Sequence, residues 1–223
     1  MTRTTNARAA GVTFLVYIGA GLTGMALMGR ATSGEGMASK LASLAQHGTD
    51  LRVYILLGLV MAFSALVLGV TLYGVTREED RDIAMLGLVC RVVEAVIVGL
   101  SLDATLALRW LATAADAPQG DGAHAVAAYL LRGEMALTAT FFAVGSACFS
   151  WLLLRGRMIP AALAWLGVIA SLLLVVVLPL QLARLLDGPI TSLVWLPMLA
   201  FEVTVGVWFI VKGVSPTRAT LSP

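Results

Sequence analysis

Any chemistry this sequence performs must run through a few charged residues set inside long apolar runs. Arg91 and Glu94 stand in CRVVEAVIVGLSLDATLALRW, and Glu202 stands in WLPMLAFEVTVGVWFIV. An ionisable side chain at membrane depth is costly unless paired, so these residue types point to proton, ion or polar-ligand binding. Arg91 precedes Glu94 by three residues and can pair with it on one helix. At 100° per residue, Ser101 and Thr105 fall within about 20° of Glu94 and extend a polar stripe, whereas Asp103 points the other way. With all three groups ionised, Arg91, Glu94 and Glu202 carry a formal charge of −1, an excess that a shared proton relieves. Two uses stand open. One is a site for a proton or a small or lipophilic ligand, serving transport or sensing; the other is a buried salt bridge that locks helices in a structural or accessory subunit.

A further candidate is Arg132. It shares a helical face with Tyr129, Ala136, Ala139, Ala143, Ser146 and Ser150. Because it precedes the strongest apolar run of that segment, it suits a membrane-interface position as well as a buried one.

Other chemistries find less support. Ser64, Ser101 and Ser146 offer hydroxyls, but His47 and His124 both fall in loops and leave no base beside them, so no catalytic residue is nominated. The same two loop histidines give no axial pair for a haem. No zinc spacing or HExxH helix occurs, so no metal and no cofactor is expected. Cys90 and Cys148 lie in apolar runs and read as unpaired packing residues. GAGLTG at 19–24 has the form GxGxxG, but it lies inside an apolar run and follows no strand, so its glycines indicate tight helix packing.

These residues must be positioned by membrane helices. The chain is 59% hydrophobic and 13% charged, about half the charge of a soluble domain, roughly 25%. Its mean hydropathy is +0.92. Such a composition gives more apolar surface than a water-soluble core of this size can bury. The net charge of +2 comes from scattered residues with no basic cluster, which argues against nucleic acid as a partner. The expected partner is the lipid bilayer; oligomeric state is not encoded legibly.

A span needs about 20 apolar residues, and six stretches qualify, approximately 11–29, 53–75, 83–110, 132–154, 161–183 and 191–213. The fold class is therefore all-α, a polytopic bundle of about six transmembrane helices forming a single membrane domain over 1–223. The 31–52 connection carries GMASKLASLAQ, whose Met37, Leu41 and Leu44 have helical spacing and predict a short amphipathic surface helix. Pro179 and Pro197 each remove a helical donor, from the carbonyls of Val175 and Leu193. The freed carbonyls line an outward-opening cavity near Gln181 or mark ordinary kinks.

Orientation follows from basic residues on alternate sides. With the N-terminus inside, Arg3, Arg8, Arg77, Arg81, Arg155, Arg157, Lys212 and Arg218 are inner, and Arg30, Lys40, Arg52, Arg109 and Arg184 are outer. That excess places both termini in the cytoplasm.

Three segments, CRVVEAVIVGL, WLLLRGRMIPAALAWLGVIASLLL and WLPMLAFEVTVGVWFIVKGV, resemble the bacterial integral-membrane family known as domain of unknown function 4386. The resemblance runs from about the second span to Gly213. It implies a multi-pass protein of the bacterial inner (plasma) membrane with no established activity. Arg91 and Glu94, Arg155, Arg157 and Pro160, and Glu202, Lys212 and Gly213 fall on its motif positions, none with a catalytic role.

Overall fold

The computed structural model describes residues 2–114, 120–132, 135–186 and 193–215. Among them no strand occurs, and the helices follow in order as α1 (Arg3–Ala31), α2 (Met37–Gln46), α3 (Gly48–Thr76), α4 (Arg81–Thr113), α5 (Asp121–Arg132), α6 (Met135–Arg155), α7 (Ala161–Leu182) and α8 (Trp195–Val211). By length and composition five stretches among the described residues can cross a membrane: Arg3–Ala31, Gly48–Thr76, Arg81–Thr113, Asp121–Arg155 and Ala161–Leu182. The shorter apolar helix α8 has 17 residues, about 25 Å of axis at 1.5 Å per residue. The chain is a polytopic all-helical bundle.

Its helices are apolar on their outward faces too. Val70, Leu86, Ile169, Val176 and Val207 are all about half exposed or more, a distribution that water disfavours and acyl chains accept.

Helix boundaries have local causes. The Asp80 carboxylate accepts from the backbone N–H groups of Asp82 and Ile83 at 3.2 Å each, capping α4 inside the turn that joins it to α3. The Thr2 hydroxyl likewise accepts the Thr5 N–H at 3.2 Å at the start of α1. Both α1 and α3 begin earlier than the apolar runs require, at Arg3 and Gly48. His124, expected in a loop, lies instead in the first turn of α5, which is helical from Asp121. Pro197 falls in the first turn of α8, where a backbone N–H has no acceptor within the helix. Pro179 lies inside α7.

The residues gather into two compact units, one of residues 1–18, 63–95 and 135–223, the other of 19–62 and 96–134. In the first unit α6 packs along α7 and α7 along α8, around a core that includes Phe14, Leu68, Leu72, Phe142, Phe149, Leu174, Met198, Phe201 and Phe209. One end of this unit is tied by polar contacts. Arg3 Nε donates to the Val75 carbonyl at 3.1 Å, Arg155 reaches Glu79 at 3.1 Å and Asp80 at 3.3 Å, and the Ser215 N–H donates to the Met158 carbonyl at 3.0 Å. The start of α1, the α3–α4 turn, the α6–α7 turn and the residues after α8 therefore share one end of the unit.

In the second unit the predicted amphipathic helix is present as α2, and it packs on α5. Met37 and Leu41 contribute to a cluster with Leu108, Leu111, Ala123 and Ala127, while Leu44 joins Ala31 and Leu51. The apolar face of α2 is thus used inside the protein rather than left for lipid alone.

Candidate functional site

The site lies in the first unit, and its centre is Arg91. The i, i+3 spacing on α4 brings Arg91 Nη1 to 2.9 Å from Glu94 Oε2, with the two side chains 2% and 0% exposed. The N–H bonds of the guanidinium do not point along that line. Among the described residues, Nε, Nη1 and Nη2 of Arg91 have no acceptor in hydrogen-bond geometry, and Glu94 Oε2 has no donor. Contact between opposite charges offsets part of their desolvation, while the unmade hydrogen bonds leave it incomplete.

The other carboxylate oxygen is satisfied from α1. The Tyr17 hydroxyl donates to Glu94 Oε1 at 2.7 Å, a short bond of the kind an ionised acceptor makes. Tyr17 also presents its ring to the guanidinium, whose central carbon lies 5.3 Å from the ring centroid and 5.1 Å from that of Phe142. The Tyr17 and Phe142 rings are parallel, with centroids 6.4 Å apart, and Trp195 continues the aromatic group at 6.1 Å from Phe142. Two ring faces thus supplement the carboxylate as partners of the cation.

Room for Arg91 comes from glycine. A Cβ at Gly69 on α3 would lie 3.0 Å from Arg91 Cβ, and one at Gly145 on α6 would lie 3.4 Å from Arg91 Cδ. The stem is therefore packed between two helices, tightly against Gly69 and in ordinary van der Waals contact range of Gly145.

Glu202 is 5% exposed on α8, and its Oε1 has no hydrogen-bond partner among the described residues. It lies within electrostatic range of both Arg91, which attracts it, and Glu94, which repels it. Its helix neighbours Phe201 and Val205 line a cavity of ≈ 10 Å³ that also touches Arg91, Ser146 and Ser150. That volume is the least that holds one water, about 10–15 Å³.

Of the residues nominated from sequence, the structure brings together Arg91, Glu94 and Glu202. Ser101 and Thr105 belong to the second unit. Ser101 is exposed and its hydroxyl donates to its own helix, to Ile97 O at 3.0 Å and Val98 O at 2.9 Å; Thr105 is buried. Arg132 closes α5, and its side chain lies outside the described residues.

Tyr17 and Phe142 are not legible as site residues from sequence. Tyr17 lies 14 residues beyond Arg3, about 21 Å along α1. Counted from residue 11 it would lie only about 9 Å deep. The available signal is a phenol in the middle of an apolar run, which needs a hydrogen-bond partner when buried.

The model of one protein family, described as Domain of unknown function (DUF4386), matches residues 9–213. No curated protein and no solved structure matches the chain.

Proposed function

We propose that this chain, which belongs to the DUF4386 family, is a multi-pass protein of the bacterial inner membrane, one six-span domain with both termini in the cytoplasm, whose Arg91, Glu94 and Glu202 bind a proton in the service of transport or sensing. The observation that carries the reading is Glu202 Oε1, buried and without a hydrogen-bond partner among the described residues. Arg91 is a single positive charge facing two carboxyls, and Tyr17 already serves Glu94. A carboxylate left over at that depth is costly, and a proton on one of the two restores neutrality.

A proton fits this site better than a small or lipophilic organic ligand. The cavity beside Arg91 measures ≈ 10 Å³, whereas pockets for organic ligands run to roughly 300–1,000 Å³. Ser101, Thr105 and Arg132 have no part in this reading.

The second reading, a helix clamp in a structural or accessory subunit, is favoured by the contact of Arg91 and Glu94 with Tyr17, which ties α4 to α1. Infrared titration of the purified protein in lipid separates the two. A protonated-carboxyl band at neutral pH that disappears in Glu202→Gln or Glu94→Gln is the expected result. Fully ionised carboxylates throughout would leave only the clamp.

A further inference from the structure

The two carboxyls of the cluster meet different surroundings, and the difference separates their roles; the inference rests on the proton-binding reading. Glu94 is held at both oxygens. Its Oε2 lies 2.9 Å from Arg91 Nη1, and its Oε1 accepts the Tyr17 hydroxyl at 2.7 Å. An opposite charge in contact and a hydrogen bond donated to the ionised form both favour the carboxylate over the acid. Glu202 is placed otherwise. Its Oε1 is buried with no hydrogen-bond partner among the described residues, and Arg91 and Glu94 act on it only through space, the one attracting and the other repelling. A carboxyl so placed costs far more ionised than neutral.

The count of charges points the same way. The ionisable groups facing the site are Tyr17 from α1, Cys90, Arg91 and Glu94 from α4, and Glu202 from α8. Residues 63–76, 136–154 and 161–182 of α3, α6 and α7 contain no Asp, Glu, Lys, Arg or His. Arg91 is thus the one cation among these groups, and it is in contact with Glu94.

We propose that Glu202 is the carboxyl that takes up and releases the proton, and that Tyr17 is a positioning residue which, with Arg91, holds Glu94 as a fixed carboxylate counter-ion. On uptake the proton adds to a carboxylate oxygen of Glu202 and forms its O–H bond. On release that bond breaks and its electron pair stays on oxygen. Arg91 and Glu94 keep their charges throughout, so the trio passes between a formal charge of −1 and neutrality. Tyr17 donates its hydrogen to Glu94 without giving it up.

Glutamine variants do not assign the proton, because removal of either carboxyl leaves Arg91 a single carboxylate to neutralise. Aspartate keeps the charge. The full chain is made with a heavy-carbon label at every glutamate side-chain carboxyl, so that an aspartate placed in the cluster absorbs at the unlabelled frequency, and infrared spectra are taken in lipid at neutral pH. In Glu202→Asp the protonated-carboxyl band should move to the unlabelled frequency, and in Glu94→Asp it should stay at the labelled one. Either variant decides alone if the other does not fold. A band that stays in Glu202→Asp, or moves in Glu94→Asp, puts the proton on Glu94 and overturns the assignment while proton binding stands. Tyr17→Phe added to Glu202→Asp removes the donor to Glu94 and should lower the ratio of unlabelled to labelled band by about tenfold or more. An unchanged ratio overturns the positioning role of Tyr17, which loss of a merely structural contact would not reveal. Absence of any protonated-carboxyl band in the wild type overturns the proton-binding reading and the assignment together.

Discussion

Arg91 is a cation neutralised by contact, and the consequences of removing it depend on what is left behind. Arg91→Met strands Glu94 and Glu202 in a site with no other positive side chain among the described residues, and should lower unfolding stability in detergent by about 3–5 kcal/mol. Adding Glu94→Leu to it should recover most of that loss, since replacing both members of a buried pair is often neutral. Equal stability of the single and double variants would show that Glu94 gains nothing from Arg91. Tyr17→Phe keeps both ring contacts and loses the 2.7 Å bond to Glu94, an effect of about 1.5–3 kcal/mol for a hydrogen bond to a charged group. At this scale the sequence marks what is chemically unusual. Charges in apolar runs announce themselves, and the Arg91 and Glu94 pair follows from spacing alone. Phe142 does not, because an aromatic residue among aliphatic ones looks like any other core residue until a cation is found beside it.

The helices come together where glycine permits, and the identity of the opposing atom decides the cost of filling the space. A Cβ at Gly11 on α1 would lie 2.5 Å from the Gly206 carbonyl oxygen on α8, which is backbone and cannot step aside. Gly11→Ala should therefore destabilise by roughly 1–3 kcal/mol. A Cβ at Gly58 on α3 would meet the tip of Leu102 at 2.5 Å, and a rotating methyl can yield. Gly58→Ala should be near neutral or gain up to about 1 kcal/mol of helix propensity. Thermal unfolding of the two variants side by side tests the contrast, and equal losses would mean that Leu102 is as fixed as backbone. The end of α6 offers a stabilising change. Arg157 occupies the left-handed region at φ 50°, while Arg157 N–H bonds Leu154 O and Met158 N–H bonds Leu153 O, the helix stop in which glycine is usual. Arg157→Gly should raise stability by up to about 1 kcal/mol, and a loss would reveal a role for its exposed side chain. Of the GAGLTG glycines expected to pack tightly, a Cβ at Gly21 or Gly24 would make ordinary contact with Met61 or Tyr54 at 3.4 and 3.5 Å, and one at Gly19 would meet nothing within 4 Å. Helix α5 is not readable in full, since DGAH looks like loop by composition and its helical state depends on Ala123 and Ala127 packing with Leu108 and Leu111.

For the molecule as a whole, hydropathy fixes the class because the bilayer demands long apolar helices with their backbone groups satisfied internally. It fixes depth less well, since polar residues such as Arg3 and Thr5 extend α1 beyond the apolar run without any hydropathy signal. Sidedness rests on a separate argument, the excess of basic residues on one set of loops. The fold supplies a constraint that charge counting lacks. A Cβ at Gly213 after α8 would lie 3.3 Å from Thr4 near the start of α1, so those two chain ends share one end of their unit whichever way the protein is inserted. Single cysteines at Thr5, Ser215 and Asp121, each exposed, turn this into an experiment once Cys90 and Cys148 are replaced by alanine. A membrane-impermeant maleimide should label Asp121→Cys on intact cells, and Thr5→Cys and Ser215→Cys only after permeabilisation. The reverse pattern would invert the orientation and leave the fold intact. Opposite labelling of Thr5→Cys and Ser215→Cys would contradict the shared end itself, and with it the arrangement that brings Tyr17, Arg91 and Glu202 into one site.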